Sequence, residues 1–526
     1  MSHPFRRCAI LLLCLCICLC LLPAAAAAEE TQTEQAKNLS NAQYVTTTGF
    51  SQWKYFFDGS QSNSSTASNG GSITVSYEEG VGSVYFLLRK EYGEYTVTNN
   101  DTKEVKTVGQ GSFLHEYVDI QALFGTAPTS VTLRFENEVK IIEFYAFSKG
   151  KTPDFVQKWE LPKESHTDLI LFSTHGDDEQ LFFAGLLPYY AKAMDYEVLV
   201  VYLTDHRNIT QKRVHEMLDG LWAVGCTTYP VFGTFADFLK DSLEETYAEF
   251  RRLGTTKEDI VEFCVEQLRR FKPQVVVGHD FAGEYEHGQH MVYADCLADA
   301  LELAKDPAEL PELAAKYGTW DIPKAYFHLY QENAITMDWD TPMEELDGMT
   351  PFQVTQKLGY PCHASQQYTW FTGWINGKYG QITKASEIAT HSPCQFGLYR
   401  TTVGPDVKKN DFFENIIIYA EQDRIAEEQR QKEEQARLEA ERIAEEKRRQ
   451  EEQLRQEEEA RRQEEQARLE AEQKALKEKQ DAEARKKLLL VCMLALGGVC
   501  ILLIVVIIVL LCKPKRRKKR KKLKKF

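Results

Sequence analysis

The sequence predicts a multidomain chain: an N-terminal β-sandwich, an α/β domain with a parallel sheet, a long charged helix and a single C-terminal transmembrane helix. Three observations carry this. Residues 41–150 hold short alternating runs rich in β-branched and aromatic residues. Residues 160–415 alternate apolar runs with helix-like stretches. From residue 420 a charged segment without Pro or Gly runs into an uninterrupted apolar one. At 526 residues the chain is long enough for two or three domains.

The elements follow in order. Arg6-Arg7, the apolar run Cys8 to Leu22, Pro23 and the alanines 24–28 have the order of a secretory signal peptide over residues 1–28, with an uncleaved anchor as the alternative. In 41–150 the runs SITVSY, SVYFLL, EYTVTN, FLHEYVDI, SVTLRF and VKIIEFYAF are separated by Gly, Asn and Ser clusters, which predicts a β-sandwich. The arrangement resembles the galactose-binding-like jelly-roll modules of surface carbohydrate enzymes, so this is a candidate carbohydrate-binding module. Trp53, Tyr55 and Tyr92 either stack on sugars or serve as ordinary core and cross-strand pairs.

In 160–415 the runs LILFST, EVLVVYLT, TTYPVFG and QVVVGHD read as strands of a parallel, helix-covered sheet, whose sites lie at the strands' carboxyl ends. LILFST ends in His175-Gly176-Asp177-Asp178-Glu179. Three adjacent acids repel one another unless something positive sits among them. Either they form an acidic N-terminus for a helix over Gln180 to Ala193, or His175 and Asp178 converge on a metal ion with Asp177 beside it. A second strand, QVVVG, ends in a loop bearing His279, Glu286, His287, Gln289 and His290. Together the two strand ends offer two imidazoles and one carboxylate, a donor set that suits Zn²⁺ with an open position for water. The remaining acid and histidine then form an acid/base pair.

These motifs resemble those of the PIG-L/LmbE-like family of zinc-dependent N-acetylglucosaminyl de-N-acetylases. The family's His-Pro-Asp-Asp-Glu is matched by His175-Gly-Asp177-Asp178-Glu179, and its Arg-x-x-Glu helix before a Gly by Arg213, Glu216 and Gly225. Its His-Pro-Asp-His is matched by His287-Gly-Gln289-His290, and its late His-x-Ser-Gln by His363-Ala-Ser365-Gln366. The resemblance implies a Rossmann-like fold and zinc ligands His175, Asp178 and His290. It makes Asp177 the general base toward the attacking water, and His287 the group that stabilises the oxyanion or protonates the leaving amine. Three positions depart from the pattern: both motif prolines are glycine (Gly176, Gly288), and the acid between the two histidines is Gln289. A neutral amide there does not raise the pKa of a neighbouring histidine as an acid would.

Residues 420–487 place acids and bases at i,i+4 spacing with few large apolar residues, as a lone solvated helical stalk would; a coiled coil that self-associates is the alternative. Residues 488–512 are apolar and long enough to span a bilayer. The tail 513–526 holds eleven of the 63 Lys and Arg and no acid, which predicts a cytoplasmic C-terminus and an extracellular body on a single-pass protein of the cell membrane. The other 52 bases face 78 acids, a balance of −26, so nucleic acid is not an expected partner. Of 13 cysteines only Cys226, Cys264, Cys296, Cys362 and Cys394 lie in the exported part, too few for a disulfide scaffold; a Cys362–Cys394 bridge is the pairing considered. The reading that results is hydrolysis of the N-acetyl amide of an N-acetylglucosamine-type sugar or glycan. Its alternatives are a non-catalytic glycan-binding protein and a zinc amidase acting on a non-sugar amide.

Overall fold

The computed structural model describes residues 34–205, 211–366 and 382–512. The signal-peptide expectation (1–28) and the basic tail (513–526) lie outside these residues. The chain divides into two compact units, one ending at Gln422 and the other beginning at Asp423.

The first unit opens with nine strands: β1 (Val45–Thr48), β2 (Ser65–Ala67), β3 (Gly71–Ser76), β4 (Val81–Leu88), β5 (Tyr95–Asn99), β6 (Val105–Val108), β7 (His115–Asp119), β8 (Ser130–Phe135) and β9 (Val139–Ser148). They form two antiparallel sheets, ordered β1-β3-β8-β5-β6 and β2-β9-β4-β7. Each of the six runs read from the sequence falls on a strand; β1, β2 and β6 have four residues or fewer and give too short a pattern to see. In β5 buried and half-buried residues alternate, as a period of two demands. The sheets meet through aromatic pairs: Phe86 of β4 lies edge-on to Phe135 of β8 at 6.0 Å and to Tyr95 of β5 at 5.7 Å. Of the three aromatics weighed for sugar stacking, Tyr92 is not exposed but packs edge-on to Phe135 at 5.2 Å, and Tyr55 is half-buried; Trp53 is exposed.

Seven strands build the third sheet: β10 (Leu169–Ser173), β11 (Val198–Thr204), β12 (Val231–Phe235), β13 (Val275–Gly278), β14 (Lys324–His328), β15 (Ala334–Thr336) and β16 (Gln395–Thr401), in the order β12-β11-β10-β13-β14-β16-β15. The β12 to β14 block is parallel, and β16 and β15 add an antiparallel edge. Both faces are buried. Leu169 and Leu171 join one apolar cluster with Leu218 and Leu221 of the helix Gln211–Ala223. Ile170 and Phe172 join another with Leu268 of the helix Lys257–Phe271 and Leu297 of the helix Gly288–Leu303. A sheet covered on both sides needs continuous apolar strands, which is why these runs do not alternate. The central pair β10–β13 sets Leu169 beside Val275, so both polar loops emerge at one edge.

The helix expected over Gln180 to Ala193 is instead a four-residue turn, Asp178–Leu181, and a separate π-helix, Pro188–Ala193. Gly185 lies between them with φ 96°, where a left-handed residue ends regular helix, and a Cβ there would meet Trp339 at 2.6 Å. Cys362 and Cys394 both carry free thiols.

The charged and apolar segments at the C-terminal side form one continuous helix, Tyr419–Leu511, of 93 residues, about 140 Å at 1.5 Å per residue. The apolar stretch that ends it is long enough to cross a bilayer.

Candidate metal centre

The loop after β10 and the start of the helix Gly288–Leu303 bring the two histidine motifs together. Asp178 Oδ2 lies 3.0 Å from His175 Nδ1 and 3.1 Å from His290 Nε2, and those two nitrogens are 3.3 Å apart. Donors bound at 2.0–2.2 Å to a tetrahedral ion stand about 3.3–3.6 Å apart, so this triangle is within a few tenths of an ångström of a ligand set. All three side chains are buried. The far nitrogens face acceptors: His175 Nε2 lies 3.3 Å from Gln289 Oε1 and 3.4 Å from Asp237 Oδ1, and His290 Nδ1 is 2.7 Å from Glu284 Oε2. Protons on those outer nitrogens leave the inner lone pairs for a cation, the arrangement metal-ligating histidines need.

Each of the three consecutive acids faces a different nitrogen-bearing neighbour. Asp177 Oδ1 lies 3.5 Å from Arg213, Asp178 faces His175 and His290, and Glu179 Oε1 lies 3.4 Å from His363 Nε2. Burial opposes the charge of Asp178, but His290 and His175 hold its carboxyl well below the usual range. Burial and then the Asp178 charge push Asp177 up. Burial also lowers His175 and His290, yet the Asp178 carboxylate outweighs it and lifts them to about 10 and about 9.

His287 caps the N-terminus of the helix Gly288–Leu303, its Nδ1 accepting from the Gln289 N–H at 3.2 Å. That fixes the proton of the neutral ring on Nε2. Burial, then the neighbouring His175 and His290, depress His287 to about 2, so the ring is uncharged near neutral pH. Gln289, where an acid was expected, clamps the loop after β12: Nε2 donates to Ala236 O at 2.8 Å and Oε1 accepts from Phe238 N–H at 3.0 Å. Gly288 replaces proline for a local reason. Its N–H donates to Lys240 O at 2.8 Å, which proline cannot do, and a Cβ would collide with Thr246 Oγ1 and approach Ser242 O at 2.7 Å.

The remaining motif residues buttress the site. Glu216 accepts from the Ser365 N–H at 3.2 Å and from its hydroxyl, tying the helix Gln211–Ala223 to the loop that carries His363. Gly225 takes φ 95° as that helix ends. Sequence reasoning left Asp237, Glu284 and His328 unassigned. Their partners lie far away in sequence, except that Glu284 pairs with His279 and His290, five and six residues away.

Residues 170–301 match the family model described as PIG-L: GlcNAc-PI de-N-acetylase. A 1D-myo-inositol 2-acetamido-2-deoxy-alpha-D-glucopyranoside deacetylase 2 of Saccharopolyspora erythraea is 36% identical over 161 residues, covering 31% of this chain and 48% of the relative. A deacetylase 1 of the same description from Catenulispora acidiphila is 27% identical over 187 residues, covering 32% and 57%. The chain thus spans about half the length of these curated relatives. Among solved structures, N,N'-diacetylchitobiose deacetylase from Pyrococcus horikoshii aligns with 14% identity and a TM-score of 0.30, over 45% of this chain and 84% of that one.

Proposed function

We propose that the chain is a zinc-dependent de-N-acetylase that hydrolyses the N-acetyl amide of an N-acetylglucosamine-type sugar or glycan at the cell surface. The observation that carries this reading is the meeting of His175 Nδ1, Asp178 Oδ2 and His290 Nε2 within 3.3 Å of one another, with Asp177 as the next residue. His175, Asp178 and His290 hold the ion. When bound, Zn²⁺ supplies a Lewis acid that polarises the amide carbonyl and acidifies water. Asp177 takes the proton from the attacking water; burial and the Asp178 charge make its carboxylate a stronger base, while Arg213 at 3.5 Å favours its charged form and orients it. His287, neutral with its proton on Nε2, donates that N–H to the developing oxyanion or to the leaving amine nitrogen, and the proton taken by Asp177 balances the departing amine. The β10–β14 sheet is read as Rossmann-like, and residues 41–150 as a jelly-roll-like sandwich, a candidate carbohydrate-binding module. Residues 420–487 are read as the stalk and 488–512 as the membrane span.

The test is acetate release from N-acetylglucosamine oligomers by the full chain in detergent, before and after chelation and after Zn²⁺ is restored. Activity should vanish on chelation and return with zinc; turnover indifferent to metal removal sinks the reading. Asp177→Asn should keep the metal and lose about 10²–10⁴-fold in turnover, whereas Asp178→Ala should lose metal and activity together.

A further inference from the structure

Glu284 is fully buried and accepts from three histidines that come from three different elements. Its Oε2 lies 2.8 Å from Nδ1 of His279, just after β13, and 2.7 Å from Nδ1 of His290 in the helix Gly288–Leu303. Its Oε1 lies 2.6 Å from Nδ1 of His328 at the end of β14. The outer two histidines are themselves pinned. The Thr174 N–H donates to His279 Nε2 at 3.0 Å, which places the His279 proton on Nδ1, facing Glu284. His328 Nε2 faces Ser392 O at 2.9 Å. The backbone bends sharply to deliver the carboxylate: Gly283, Tyr285 and Glu286 have φ of 69°, 48° and 61°. For Tyr and Glu that is a strained conformation, which the surroundings must impose.

We infer that Glu284 is a positioning residue for the metal centre: anchored by His279 and His328, its carboxylate fixes the tautomer and aim of His290, so that Nε2 meets Asp178 Oδ2 and His175 Nδ1. This rests on the reading of His175, Asp178 and His290 as metal ligands. A carboxylate behind a ligating imidazole orients the ring and raises its donor strength, and removing such a partner weakens metal binding about 10–100-fold. His279 is thereby assigned away from the ion: its Nε2 is 3.7 Å from Asp178 Oδ2, but its lone pair is taken by the Thr174 N–H. His328 is part of the same device: among the described residues its ring nitrogens bond to Glu284 and to Ser392 O.

The experiment is competitive Zn²⁺ titration against a chromophoric chelator, with the full chain in detergent, for wild type, Glu284→Gln and His328→Gln. Folding is checked by near-ultraviolet circular dichroism, and the Co²⁺-loaded forms are compared by their visible absorption. Glu284→Gln should bind zinc about 10–100-fold more weakly with a shifted Co²⁺ spectrum. His328→Gln, which loosens an anchor without touching a ligand, should weaken binding by a few-fold. If Glu284→Gln fails to fold, the His328→Gln titration decides alone. Wild-type affinity and an unchanged Co²⁺ spectrum in the folded variants overturn the inference while leaving the metal site standing. A wild-type chain that binds no zinc overturns the site reading and this inference with it.

Discussion

Asp177, Asp178 and Glu179 are adjacent in sequence, yet they face Arg213, His175 with His290, and His363 respectively. The middle one has a consequence for metal loading. With Asp178 beside them, His175 and His290 hold their protons up to about 10 and about 9, so near neutral pH a cation must displace protons to reach the inner nitrogens. Zinc binding at pH 7 should therefore release about two protons, and affinity should rise with pH. Calorimetry in buffers of different ionisation enthalpy reads the proton number; a binding enthalpy independent of buffer would exclude this. The two motifs were legible in sequence because each is compact and sits where a strand hands over to a loop. Glu284 was not, because its meaning depends on His328, 44 residues away. Gln289 was legible only as a loss; its role as a clamp on Ala236 and Phe238 appears once β12 is in place.

At the scale of elements, β7 and the helix Gln211–Ala223 are joined by a buried relay whose direction is fixed. His215 Nε2 faces Leu88 O at 3.1 Å and must donate to it, so His215 Nδ1 accepts from His115 Nε2 at 2.8 Å, and His115 Nδ1 accepts from the Tyr85 hydroxyl at 2.7 Å. The chain of bonds works only with both rings neutral, and burial holds each histidine down to about 3. Histidines of the unfolded chain titrate near 6.5. Between 6.5 and 3 the unfolded state therefore binds more protons, and stability, complete above 6.5, falls as pH drops through that window. The slope should approach about 1.4 kcal/mol per pH unit for each proton taken up. Melting temperature against pH measures it, and His215→Gln should flatten the profile; an unchanged slope would remove the pair as its source. The six β-rich runs were readable because their period of two is strong over five or more residues. The contact between β7 and this helix was not, since nothing in either segment names the other.

At the scale of the whole molecule, the residues that close the first unit are tied down. The Tyr419 N–H donates to Asp168 Oδ1 at 2.8 Å, its hydroxyl donates to Lys272 O at 2.7 Å, and its ring stacks on His166 at 4.7 Å. Beyond Gln422 every described residue is exposed. A fragment ending at Gln422 should therefore keep the melting temperature of the full chain and stay in the aqueous phase, while the full chain should partition into detergent through its apolar C-terminal stretch. A fragment ending at Ile416, which lacks the Tyr419 anchor, should melt several degrees lower. Phase partitioning and thermal unfolding check both halves. The charge change at 420 and the apolar run at 488 were plain in composition; that they make one unbroken helix follows from the absence of any Pro or Gly before Gly497.

The glycine at 288 also bears on which side chains the turn before the helix Gly288–Leu303 can accept. Thr246 and the carbonyls of Ser242 and Lys240 have settled into the room a missing side chain leaves, and Lys240 O relies on a donor that an imino acid lacks. Proline at 288 would therefore be penalised by its neighbours: its ring would meet Thr246 and the Ser242 carbonyl, and Lys240 O would lose its donor. What position 288 accepts is thus set by Thr246, in the helix Leu243–Arg252, rather than by His287 and His290 on either side of it.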